Sequence, residues 1–146
     1  MDTPHWRIDG ASDFPRIFLA MVDLFPPGSV IGLSGGSLSA EVRTFFDRNR
    51  LTLDPAVTTS LPEGNFADAY YLPLDRQYMM ALAAIAEHHA EPEIALFMVV
   101  ISDGSSVLEW YDAPDDPISI SLDYPEDAVS SFARTVGGVY VADEGV

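Results

Sequence analysis

The 146 residues predict a single α+β domain, in which a mixed, mainly antiparallel sheet of about five or six strands packs with about four helices. Three observations carry that expectation. Apolar residues recur at helical spacing in four segments, each bounded by proline, glycine or a capping side chain. Short alternating or wholly apolar runs of strand length lie between them. The order of elements also changes along the chain: helices alternate with strands early, and strands joined by tight turns follow late.

The elements follow in chain order. His5-Trp6-Arg7-Ile8-Asp9 alternates polar with apolar residues, the pattern of a short edge strand ended by Gly10. Ser12 and Asp13 offer cap oxygens, Pro15 suits a first helical turn, and Phe14, Ile17, Phe18, Met21, Val22 and Phe25 share one helical face. Pro26-Pro27-Gly28 stops that helix, and residues 29–33 read as a short buried strand. Ser37 is the expected cap of a second helix, with Glu41 in its first turn and Val42, Phe45, Phe46 and Asn49 on one stripe. Residues 51–66 contain two prolines, a glycine and several hydroxyls, so they read as loop with at most a brief strand, and residues 69–72 as a further strand.

Asp75 caps the third expected helix, which runs to about His89; its YMMALAAIA interior is apolar nearly all round, as for a helix covered on several sides. Residues 94–102 (IALFMVVIS) form an unbroken apolar run, which predicts a central strand buried on both faces. Asp103-Gly104 is a hairpin turn, after which Leu108 and Trp110 face inward while Glu109 and Tyr111 face out. Residues 112–117 (DAPDDP) make an acidic turn, and Ile118, Ile120 and Leu122 mark a half-exposed strand. Asp123 and Glu126 fit the D-x-x-E start of a last helix with Val129, Phe132, Ala133 and Val136 on its buried stripe. Gly137-Gly138 ends it, and residues 139–141 add a final strand.

Bulk composition narrows the chemistry. A 48% hydrophobic and 21% charged chain is that of a globular protein. The absence of cysteine excludes disulfides, thiolate catalysis and Cys-based metal centres. Residues 1–13 lack the basic, apolar start of a signal peptide, and the longest apolar runs are too short to cross a bilayer, so a cytoplasmic protein is expected. Charge is the outlying property: 7 arginines, no lysine and 23 acids give a formal −16. Only Arg134 offsets the acids of residues 87–146, whereas the second helix and its end hold Arg43, Arg48 and Arg50. Such a field repels nucleic acids and anionic membranes and attracts cationic partners.

Three stretches are candidates for chemistry. Gly32-Leu33-Ser34-Gly35-Gly36 matches the G-x-S-x-G pattern that places a nucleophilic serine on a strand-to-helix turn. Too few residues precede it for the usual strands and oxyanion loop, and the downstream histidines, His88 and His89, are neighbours whose side chains diverge by about 100° on a helix. The stretch therefore reads as a turn. As a phosphate cradle it lacks the lysine and spacing of a P-loop. Residues 87–93 (EHHAEPE) invite a metal reading, but adjacent histidines diverge, and Pro92 is expected to interrupt the i, i+4 relation of His89 and Glu93. No metal, cofactor or catalytic set is expected.

The third stretch is the densest acid cluster, formed by Glu109, Asp112, Asp115 and Asp116 beside Tyr111. It lacks the frame of a calcium loop. An aromatic anchor ringed by acids is the chemistry of a recognition patch for a basic protein. In size, charge and lack of a catalytic set, the chain resembles small acidic inhibitor and immunity-type proteins, which neutralise a basic toxin or enzyme. The expectation is a non-enzymatic binding protein whose partner-binding residues are Glu109, Tyr111, Asp112, Asp115 and Asp116. A small serine hydrolase built on Ser34 and a self-assembling structural module are the alternatives, and a homo-oligomer is compatible with the first reading.

Overall fold

The computed structural model describes residues 3–58, 61, 66 and 68–145; residues 59–60, 62–65 and 67 of the expected loop lie outside the described residues. The elements run β1 (His5–Asp9), α1 (Phe14–Leu24), β2 (Val30–Ser34), α2 (Ala40–Asn49), the single turn α3 (Pro55–Thr58), β3 (Tyr70–Pro73), α4 (Arg76–Ala86), a 3-10 turn (Glu91–Glu93), β4 (Phe97–Ser102), β5 (Ser105–Trp110), β6 (Ile118–Ser121), α5 (Glu126–Val136) and β7 (Val139–Asp143). The class is the α+β one expected, with a seven-stranded sheet in the order β3-β2-β4-β5-β6-β1-β7.

Two features of the sheet correct the sequence reading. It has seven strands where about five or six were expected, and among the described residues all the pairings are antiparallel, the extreme of the mainly antiparallel sheet expected. Each helix that follows a strand carries the chain to a place in the sheet where its next strand meets oppositely directed neighbours. In addition, β1 is no edge strand, because it pairs with β6 on one side and β7 on the other. Alternation reports that one face of a strand is solvated, and it carries no information about the edge.

β4 is an interior strand, paired with β2 and β5, as its unbroken apolar run requires. Met98 and Val100 enter a core shared with α1, α4 and α5, while Val99 and Ile101 enter a second cluster on the opposite face. The first core holds Phe14, Ile17, Phe18 and Met21 of α1, Met79 and Leu82 of α4, Val129 and Phe132 of α5, and Val42 and Phe46 of α2. Trp110, fully buried, meets Phe14 edge to face at 5.5 Å, and its Nε1–H donates to the carbonyl of Asp116 at 2.6 Å. Indole nitrogens buried in a core need such an acceptor. The second cluster places Leu61, Phe66, Ala69 and Tyr71 over Val99 and Ile101, with Leu51, Leu53 and Val57 against it. Thus the described residues of the segment read as loop form a lid on a sheet face, and Leu51 bridges to Tyr71.

Helix boundaries follow local chemistry. Asp13 caps α1 by accepting from Arg16 N–H, and Asp75 caps α4 by accepting from Tyr78 N–H, as expected. The cap of α2 is Ser39, not Ser37, since Ser37 N–H is engaged by the carbonyl of Pro92 at 2.8 Å, which holds the preceding loop extended. Pro125, without a side-chain bond, occupies the cap position of α5 in place of Asp123. A residue before proline is biased out of the helical region, so Tyr124 cannot open a helix as a cap at Asp123 demands. Helix α4 ends at Ala86 rather than at His89, and Met80 is 57% exposed, so it is less fully covered than its composition suggested.

Gly32, the first glycine of the G-x-S-x-G match, has a packing role. A Cβ there would lie 2.8 Å from Cε1 of buried Tyr71 and 2.9 Å from Cγ1 of buried Val99. Gly32→Ala is therefore expected to destabilise the protein by about 1–3 kcal/mol through overpacking, measured as a lower midpoint in urea unfolding. An unchanged midpoint would show that the second cluster yields freely.

Candidate functional site

The acidic turn between β5 and β6 is held to the protein from inside. Ala113 is buried, and its N–H donates to the carbonyl of Leu96 at 2.7 Å. The Asp112 carbonyl accepts from Asp115 N–H and Asp116 N–H, and the Asp116 carbonyl accepts from Trp110. With the backbone so engaged, the side chains of Asp112, Asp115 and Asp116 are all exposed. Asp112 takes a positive φ of 52°, a conformation that Asp and Asn tolerate better than most residues.

Glu109 and Tyr111 do share the sheet face opposite Leu108 and Trp110, but the second cluster covers that face. Glu109 is 9% exposed, with Tyr111 OH donating to Oε1 at 2.9 Å and Ser106 Oγ donating to Oε2 at 3.1 Å. The Tyr111 ring lies against Phe66 and Phe97. The structure therefore groups the five residues in two sets: buried Glu109 with half-buried Tyr111 under the lid, and three exposed aspartates on the turn.

The strand directions divide the remaining acids. Ser34, Phe97, Trp110, Ile118 and Val139 mark one end of the sheet, and Val30, Ser102, Ser105, Ser121 and Asp143 mark the other. Of the acids after residue 86, Glu87, Glu91, Glu93, Asp112, Asp115 and Asp116 belong to connections at the first end. Asp103, Asp123, Glu126, Asp127, Asp143 and Glu144 belong to the second. The charge that is lopsided along the chain is thus bipolar in space. Asp143 is itself engaged: Gly145 N–H donates to it and Arg7 reaches it at 3.3 Å, which lowers its pKa below the ordinary carboxylate value.

Ser34 ends β2 on the face shared by Gly32, whereas α2 and α4 lie on the other side. Gly35, at a φ of 79°, turns the chain, and a Cβ at Gly36 would lie 2.9 Å from the backbone of Ile94, so the glycines serve a tight turn and a close backbone approach. His89 is committed elsewhere. Its Nε2 meets Glu41 Oε1 at 2.8 Å and its Nδ1 meets Glu93 Oε2 at 2.9 Å. Pro92 does not interrupt the i, i+4 relation as expected, because the 3-10 turn returns Glu93 to the ring. His5 engages the Thr3 carbonyl and faces Asp143 at the far end of β1.

The His89 bridge was beyond sequence reasoning, since Glu41 is 48 positions away and only the fold brings it near. Among the described residues, no group of three or more metal-ligating side chains is placed to hold a metal ion. Nor is any helix among them long and apolar enough to cross a membrane. Comparison with protein-family models, curated proteins and solved structures finds no match to this chain.

Both nitrogens of His89 can donate only when the ring is protonated, and the hydrogen bonds to Glu41, then to Glu93, raise its pKa above the ordinary imidazole value. A raised folded-state pKa adds stability that is fully present below the unfolded-state pKa and is lost as pH rises through the folded-state value. The NMR titration midpoint of His89 is accordingly expected above the ordinary imidazole value and lower in Glu41→Gln. A midpoint indifferent to that substitution would mean that the bridge does not form in solution.

Proposed function

We propose that this protein is a non-enzymatic binding protein that docks a basic protein partner on the end of its sheet that carries Asp112, Asp115 and Asp116, as an inhibitor or immunity-type protein does. The observation that carries the reading is the turn of Asp112, Asp115 and Asp116. Three carboxylates project from a backbone whose polar groups are spent on Leu96, on Trp110 and within the turn itself. Charges on a preordered loop lose little entropy when a partner docks, and a shared sign steers the encounter. The bond from Ala113 to Leu96 sets this turn beside the connection that carries Glu91 and Glu93. Tyr111, half-buried under the lid with its hydroxyl on Glu109, stiffens the base of the turn.

The reading makes a positional claim, and a short oligoarginine peptide is a probe that tests it. Converting Asp112, Asp115 and Asp116 to Asn is expected to slow association about tenfold at low salt, with the difference fading as salt screens the field. A control converting Asp123 and Asp127 to Asn and Glu126 to Gln removes the same charge from the opposite end and is expected to change the rate far less. Equal losses in the two triple variants would reduce the acidity to a general solubilising field.

A further inference from the structure

One helix of this acidic protein balances its acids: α2 carries Arg43 and Arg48 against Glu41 and Asp47, and Arg50 follows at its end. Arg7, Arg16 and Arg76 each pair with an aspartate. Among the described residues, Arg43 and Arg48 of α2 make no ion pair, and Arg50 at its end lies over the Tyr70 ring at 4.7 Å. The same helix borders a groove of about 510 Å³ against α4, lined by Ala40, Glu41, Thr44, Phe45, Arg48 and, from α4, Ile85. Phe45 and Ile85 are only partly buried there.

The sequence along this groove has a symmetry. Glu41, Thr44, Phe45 and Arg48 are spaced i, i+3, i+4 and i+7, a single stripe on an α-helix. Acid stands at its N-terminal end, base at its C-terminal end, and the aromatic ring in the middle. That polarity suits the helix dipole, and it also makes the stripe self-complementary. Laid antiparallel about a two-fold axis between positions 44 and 45, Glu41 of one copy faces Arg48 of the other, and Arg48 faces Glu41. Thr44 then meets Phe45 across the axis. The Glu41 oxygens retain free lone pairs beside the bond to His89, because a carboxylate accepts about four hydrogen bonds.

We infer that the groove between α2 and α4 is a homodimer surface, closed by α2 of a second copy in antiparallel register. The occupant is argued from charge: a two-fold axis here pairs opposite charges twice and covers the apolar middle from both sides, as an isologous interface must. The acidic end that carries Glu93 comes within one imidazole of Glu41, and His89 holds both carboxylates there, while the charge pairs of the stripe act at contact. This inference is independent of the basic-partner reading, which concerns the turn after β5.

Sedimentation equilibrium in physiological salt tests it. The wild-type protein is expected at about twice 15.9 kDa at micromolar concentrations. Arg48→Glu, which sets like charges face to face, is expected to give the single-chain mass, and adding Glu41→Arg to it to restore the dimer. Arg43→Glu, on the other flank of α2, is expected to leave the dimer intact. Because the chain has no cysteine, Thr44→Cys supplies a unique thiol near the axis and is expected to form a disulfide-linked dimer under mild oxidation, faster than Arg43→Cys. A wild type that stays at the single-chain mass overturns the inference and leaves the groove to some other occupant. A dimer that survives Arg48→Glu, a double variant that remains single, or a Thr44→Cys thiol that fails to cross-link also overturns it.

Discussion

The structure depends on covering both faces of β4. A strand whose successive side chains are Met98, Val99, Val100 and Ile101 must bury apolar surface above and below the sheet at once. At about 25 cal/mol for each square ångström removed from water, leaving either face open costs a sizeable part of a domain's net stability. Helices α1, α4 and α5 cover one face with long amphipathic surfaces. The other is covered by Leu51, Leu53, Leu61 and Phe66, described residues of the segment between α2 and β3. What looks like a polar connection is the second half of the core.

That lid reaches over β2, β3, β4 and part of β5. Beyond it the same face carries Ser119 and Ser121 of β6 and His5, Arg7 and Asp9 of β1, paired by register and tied by Arg7 to Asp9 and Asp143. Donation from the Arg7 guanidinium to the Asp9 carboxylate is the leading cause that raises the Arg7 pKa. Glu109 stands at the boundary of the two regimes. Its carboxylate is covered like the lid residues and hydrogen-bonded like the polar ones, as a buried carboxylate has to be.

The antiparallel meander also governs the electrostatics. Successive turns fall at alternate ends of the sheet, so acids that are adjacent along the chain are carried apart by a strand length. Asp103 and Asp112 flank the same strand and belong to opposite ends. One acidic tract thus becomes two acidic ends of the sheet, a strand length apart.

The amino-acid sequence determined the elements and their inward faces: the burial of Met98 to Ile101, the helical stripes of α1 and α5, and the capping oxygens of Asp13 and Asp75 follow from spacing and local hydrogen bonding. So does the exposure of Asp112, Asp115 and Asp116, because a turn bounded by prolines has little apolar surface to hide. The tertiary structure decided what depends on partners remote in the chain. It placed β1 between β6 and β7, put Glu109 and Tyr111 under a lid, brought Glu41 to His89, and tied Ser37 to Pro92 so that the α2 cap moved to Ser39. Periodicity records which side of an element is wet. Which element lies against that side is set by packing that joins residues dozens of positions apart, and no local pattern encodes it.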